Sequence, residues 1–101
     1  ARKPAMACLA SRVPYGTPLT RATLAQIERA ENSLRAQGFI HCRVRHHADL
    51  ARIEVPPDEI SRLLDPAIRE RIVSELKGAG YTFVALDLQG YRTGCLNEVK
   101  K

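Results

Sequence analysis

Three groups of residues in this chain carry side chains suited to chemistry. Cys8 lies in KPAMACLASRVPYG, residues 3–16, a stretch with prolines at 4 and 14 and no helical or strand period. Lys3 and Arg12 are near it in sequence, and neighbouring cations favour the thiolate, the nucleophilic form of cysteine. A free cysteine is equally at home as a small buried hydrophobe, so the pattern leaves Cys8 between a reactive group and a core filler. The second group is FIHCRVRHHADLARIEV, residues 39–55. Ile40, Cys42 and Val44 alternate with His41, Arg43 and Arg45, and Ala51, Ile53 and Val55 alternate with Leu50, Arg52 and Glu54. Period two places the apolar set on one face of a hairpin and the charged set on the other. Arginine's planar fork suits phosphate or carboxylate, so the charged face is either an anion site or a solvated outer face. The third is Glu31, which falls on the apolar stripe of Leu24, Ile27 and Leu34. A carboxylate there must be paired, bind a cation, or reach water from the edge of the stripe.

A zinc site is weakly supported. His41, Cys42, His46 and His47 do not follow a structural-zinc spacing, and strand alternation points Cys42 away from His41. His46 and His47 read as turn residues.

The elements that must position these groups follow from caps and breakers. Residues 1–19 form an irregular, proline-punctuated lead-in, and residues 20–101 a single α/β domain. Thr20 is an N-cap for a helix over about 21–37, with Gly38 in the left-handed position after it. Phe39–Arg45 and Leu50–Val55 are strands joined by a four-residue loop, His46 to Asp49. That register sets Arg45 opposite Leu50 and Arg43 opposite Arg52, and opposed like charges weaken a sheet unless an anion or a carboxylate such as Glu54 relieves them. Pro56-Pro57 ends the second strand. A short helix over 58–64 follows, then Asp65-Pro66 opens an amphipathic helix to about Ala79. Tyr81–Leu88 is the third strand, and the tail from Tyr91 is irregular. The order is α-β-β-α-α-β. The fold class is α+β, a small three-stranded mixed sheet with helices on one face, its third strand parallel to one hairpin strand.

Composition narrows the setting. The 101 residues carry a net charge of +5, which permits an anionic partner but is weak support for nucleic acid. The three cysteines are far apart and form no CxxC, which favours a reducing, cytoplasmic setting over a disulfide framework. There is no long apolar run for a membrane span, and no charged-then-apolar leader is visible.

Taken together, KPAMACLASRVPYGT, FIHCRVRHHADLARIEVP and VALDLQGYRTGCLNE resemble the C-terminal half of the LarE family. These are ATP-dependent sacrificial sulfur transferases of the PP-loop (ATP pyrophosphatase) superfamily. The resemblance runs along essentially the whole chain, in order. It implies an enzyme that adenylylates a carboxylate of a pyridinium dicarboxylate mononucleotide and attaches sulfur to it, on the way to a nickel-pincer cofactor. In many members the sulfur comes from the enzyme's own cysteine. Cys8 falls at that donor position or one residue after it, beside Ala7. The resemblance further implies that Ser11 and Arg12 contact substrate, that Arg43 and Arg45 bind the substrate phosphate, and that Glu31 and Glu54 bind a divalent metal. A Ser-Gly-Gly-x-Asp-Ser loop, whose backbone donors cradle the ATP pyrophosphate, is absent, and the chain has no glycine pair. ATP and magnesium are therefore expected on an N-terminal PP-loop domain outside this sequence, and the chain alone is expected to be inactive. Some members hold an iron–sulfur cluster on three cysteines, a second reading here. The full-length protein is expected to form homo-oligomers. Two other functions remain open: a domain of another PP-loop enzyme, such as a tRNA-thiolation relative, and a non-catalytic anion-binding or oligomerisation module.

Overall fold

The computed structural model describes Gly16 and residues 19–91. Cys8, Ser11, Arg12 and Cys95 lie outside the described residues. The elements are α1 (Arg21–Ala36), β1 (Arg43–His47), β2 (Leu50–Glu54), a 3-10 turn (Pro57–Glu59), α2 (Ile60–Leu63), α3 (Pro66–Gly78) and β3 (Phe83–Leu86). The sheet order is β1-β2-β3. β2 is central, antiparallel to β1 and parallel to β3. The architecture is the expected α+β one.

The helices start where local chemistry dictates. The Thr20 hydroxyl accepts from the Thr23 N–H at 3.1 Å, and the Asp65 carboxylate accepts from the Ala67 N–H at 2.9 Å with Pro66 at the first helical position. Both long helices end in the same closure. After α1, Phe39 N–H donates to the Leu34 carbonyl and Gly38 N–H to that of Arg35. After α3, Tyr81 N–H donates to Leu76 and Gly80 N–H to Lys77. This is the Schellman pattern, with Gly38 at φ +98° and Gly80 at φ +115°. Each closure turns an aromatic residue, Phe39 or Tyr81, into the core beside Leu34 or Leu76. Arg62 secures the first one, stacking 4.3 Å over the Phe39 ring and donating to the Gln37 carbonyl at 3.0 Å. A methyl group at Gly38 would stand 2.9 Å from the Arg62 guanidinium and force a left-handed alanine. Gly38→Ala is therefore expected to lower stability by about 1–2 kcal/mol, measurable as a lower urea midpoint.

α1 packs on β1, α3 on β3, and the two helices on each other. Val44, Ala51 and Ile53 face them from the sheet, and Cys42 and Val55 flank the strands in the same core. His46 shares that face with Val44 and Ala51 and is buried.

Three expectations are corrected here. The third strand is Phe83–Leu86 rather than Tyr81–Leu88, because the closure after α3 takes Tyr81. Phe39–Cys42 is not strand, because the helix closure occupies Phe39. Ile40 consequently lies outside the core, 73% exposed. The hairpin loop is two residues, Ala48-Asp49, and His46 and His47 belong to β1. Ala48 takes the tight turn at φ +54°. The register becomes Arg43↔Glu54, Arg45↔Arg52 and His47↔Leu50. The opposed like-charged pair is thus Arg45–Arg52, not Arg43–Arg52, and Leu50 faces His47, not Arg45.

Candidate functional site

The sheet face away from the helices carries Arg43, Arg45 and His47 from β1 and Arg52 and Glu54 from β2. Its charges are organised around Glu54, whose carboxylate is nearly buried. Arg45 Nε donates to Glu54 Oε2 at 3.0 Å. Arg52 Nη2 approaches the same oxygen at 3.8 Å, and Arg52 Nε lies 3.6 Å from Asp87 Oδ2. Glu54 thus bridges the facing arginines, the carboxylate relief that the crowding of like charges demands. Arg43 is covered to 1% exposure, with its guanidinium 5.0 Å from the centre of the Tyr91 ring. Tyr91 is delivered by the turn after β3. Its N–H donates to the Val55 carbonyl at 2.7 Å. Gly90 is at φ +87°, and a methyl there would stand 3.0 Å from both Val55 O and Pro57, so glycine is required for this approach.

Glu31 is resolved as a buried, paired carboxylate. It is 3% exposed. Its Oε2 accepts the Val44 N–H at 2.9 Å and its Oε1 lies 3.4 Å from Arg35 Nη2. The Cys42 thiol donates to the Glu31 carbonyl at 3.8 Å. Nearby, Tyr81 Oη and His46 Nδ1 are 2.8 Å apart. Burial, reinforced by the Glu31 charge, pushes the Tyr81 hydroxyl up to about 12. A phenol held protonated beside a neutral imidazole fits donation from Tyr81 to Nδ1, with the ring proton on Nε2.

Both histidines of β1 are held below the ordinary value of 6.5, His46 by burial and then by the His47 charge, His47 by burial and then by Arg52 and Arg45. Between the unfolded value and the lowered folded values, the unfolded chain binds protons that the folded one does not. The stabilising contribution is therefore complete above about pH 6.5 and is lost as pH falls through that window. Thermal melts are expected to show a falling Tm from about pH 7.5 to about pH 5.5, with a shallower slope in His47→Gln.

The structure brings Arg43, Arg45 and Glu54 together and puts Glu31 elsewhere, on the helix layer at β1. The metal role implied for Glu31 and Glu54 is not matched by this donor set. Each carboxylate has a guanidinium as its countercharge, and among the described residues no group of three or more His, Cys, Asp or Glu is placed to hold a metal ion. His47, Asp87 and Tyr91 join the site unforeseen. His47 was hidden by its reading as a turn residue, and Asp87 and Tyr91 by lying at and beyond the end of a strand. Among the described residues no helix is long and apolar enough to cross a membrane.

No protein-family model matches the chain. It is 43% identical over 96 residues, 95% of its length, to the pyridinium-3,5-bisthiocarboxylic acid mononucleotide synthase of Lactiplantibacillus plantarum, covering 34% of that protein. It is 42% identical over 97 residues to the uncharacterized protein slr1717 of Synechocystis, covering 36% of it. The uncharacterized protein MJ0830 of Methanocaldococcus jannaschii is 30% identical over 90 residues, with 34% covered. The chain thus spans about a third of the length of the curated relatives it matches.

Proposed function

We propose that this chain is the substrate- and sulfur-donor domain of an ATP-dependent sulfur transferase that makes a thiocarboxylate on a pyridinium mononucleotide for nickel-pincer cofactor synthesis. The observation that carries the reading is the 43% identity to the named synthase across 95% of this chain. The arginine-rich sheet face, suited to the phosphate of a mononucleotide, supports it. ATP and magnesium belong to the remaining two-thirds of the longer protein, which activates the substrate carboxylate as an acyl adenylate. The Cys8 thiolate attacks the acyl carbon and AMP leaves. A base then removes the Cys8 α-proton. The Cβ–S bond breaks with its electron pair on sulfur, which leaves dehydroalanine at position 8 and thiocarboxylate on the product. Arg45, with Arg43 behind it, holds the phosphate by charge-assisted hydrogen bonds, and Ser11 and Arg12 contact the substrate from the Cys8 segment. Glu54 keeps Arg45 aimed.

Mass spectrometry of the longer protein after turnover with ATP and substrate tests this. The expected result is a Cys8 peptide lighter by the elements of hydrogen sulfide, in step with product. Product formed with Cys8 intact would overturn the sacrificial route. Absence of product would overturn the function.

A further inference from the structure

The corrected hairpin register puts His47 and Arg52 side by side on the sheet face away from the helices. His47 Nε2 and Arg52 Nε are both buried, and neither has a hydrogen-bond partner. The two residues are diagonal neighbours across β1 and β2, one step from the facing pair Arg45↔Arg52, a spacing that long side chains span. The nearest carboxylate atoms to the Arg52 guanidinium stand at 3.6 and 3.8 Å, ion-pair distances outside hydrogen-bond range. A desolvated polar nitrogen without a partner is costly to a fold, and here His47 Nε2 and Arg52 Nε lie one diagonal step apart. The Arg52 side chain is 41% exposed, so it can turn to meet a ligand.

We propose that Arg52 and His47 form a proton-linked anion clasp on this face, closing on a sulfate- or phosphate-type dianion as His47 takes up a proton. The clasp deepens the function proposed above and rests on it for the identity of the natural ligand, the phosphate end of a mononucleotide. The charged and titratable groups around His47 are few. Arg43, Arg45 and His46 lie on its own strand, Asp49 in the turn, Arg52 and Glu54 on β2 and Asp87 after β3, while Phe83–Leu86 of β3 carries none. The arginines oppose a charged imidazole, in line with the lowered His47 value. A dianion between them reverses that balance, because it supplies both the countercharge for a second proton-bearing nitrogen and the missing acceptor for Nε2 and Nε. For a dianion that does not itself titrate in this range, affinity is then coupled to pH through one side chain that makes no covalent bond.

Sulfate is the probe, because it remains a dianion across the working pH range. The chain is titrated with sulfate at about pH 7.5 and about pH 6.0 while imidazole resonances are followed by NMR. The expected results are an upward move of the His47 titration on saturation and an affinity about fivefold higher at the lower pH. Arg52→Gln is expected to weaken sulfate about tenfold, and His47→Gln to remove the pH dependence. Equal affinity at the two pH values, or an unresponsive His47 in the unmodified chain, would overturn the clasp without recourse to any variant. The two readings fail separately. Sulfur transfer by the longer protein with pH-independent sulfate binding removes only the clasp. A pH-linked clasp in a protein that forms no thiocarboxylate removes only the sulfur-transfer function.

Discussion

Glu31→Ala is expected to lower the unfolding free energy of this chain by about 3 kcal/mol, read from its urea transition. The substitution leaves the Val44 N–H buried without its acceptor and releases Arg35. For a domain of this size the loss is a large part of the total stability, about 5–10 kcal/mol. Glu31→Gln separates this structural account from a metal-binding one. Glutamine keeps a carbonyl oxygen for Val44 and gives up the charge, so about 1 kcal/mol is expected. A Glu31→Ala protein as stable as the original would mean that the carboxylate does not hold β1, and a ligand role for Glu31 would return.

Glu54→Ala is expected to cost a similar amount, about 3 kcal/mol, for a different reason. It removes the shared partner of two arginines that face each other in register. Arg45, with a side chain 16% exposed, is left in poor contact with water. A double-mutant cycle checks the cause. Removing Arg52 as well should restore about 1 kcal/mol, because the remaining repulsion disappears. If the double variant is no more stable than Glu54→Ala alone, repulsion between the arginines is not what Glu54 relieves.

The helix boundaries were readable from sequence because capping is local. Thr20, Asp65-Pro66, Gly38 and Gly80 each act within a few residues of themselves. The hairpin shows the limit of that kind of reading. Its turn, Ala48-Asp49, lacks the glycine or asparagine that announces a two-residue loop, so the sequence points to a longer loop that includes both histidines. The resulting error was a shift of two residues. Such a shift preserves which side of the sheet each side chain occupies and changes only its partner. The composition of the arginine face was therefore anticipated, while the Arg45–Arg52 pairing and the place of His47 were not. Ile40 failed for a related reason. Alternation continues through Phe39–Cys42 in the sequence, but the Schellman closure at Phe39 takes precedence there. Glu31 was legible as a misfit in an apolar stripe, and its partner was not, because a strand N–H carries no sequence signature. The burial of Arg43 depends on Tyr91, far along the chain, and on a glycine turn that only the folded molecule reveals.

The Glu31–Val44 contact also bears on how this molecule avoids its own copies. An outer strand offers its outward N–H groups to any extended peptide that drifts past, and this is how sheets grow into aggregates. At Val44 that invitation is already answered from within the chain, by a carboxylate carried on a packed helix. An incoming strand at this point would have to displace a buried charge before forming its first backbone bond. The same residue that fastens helix to sheet thus guards the β1 border against unintended sheet extension.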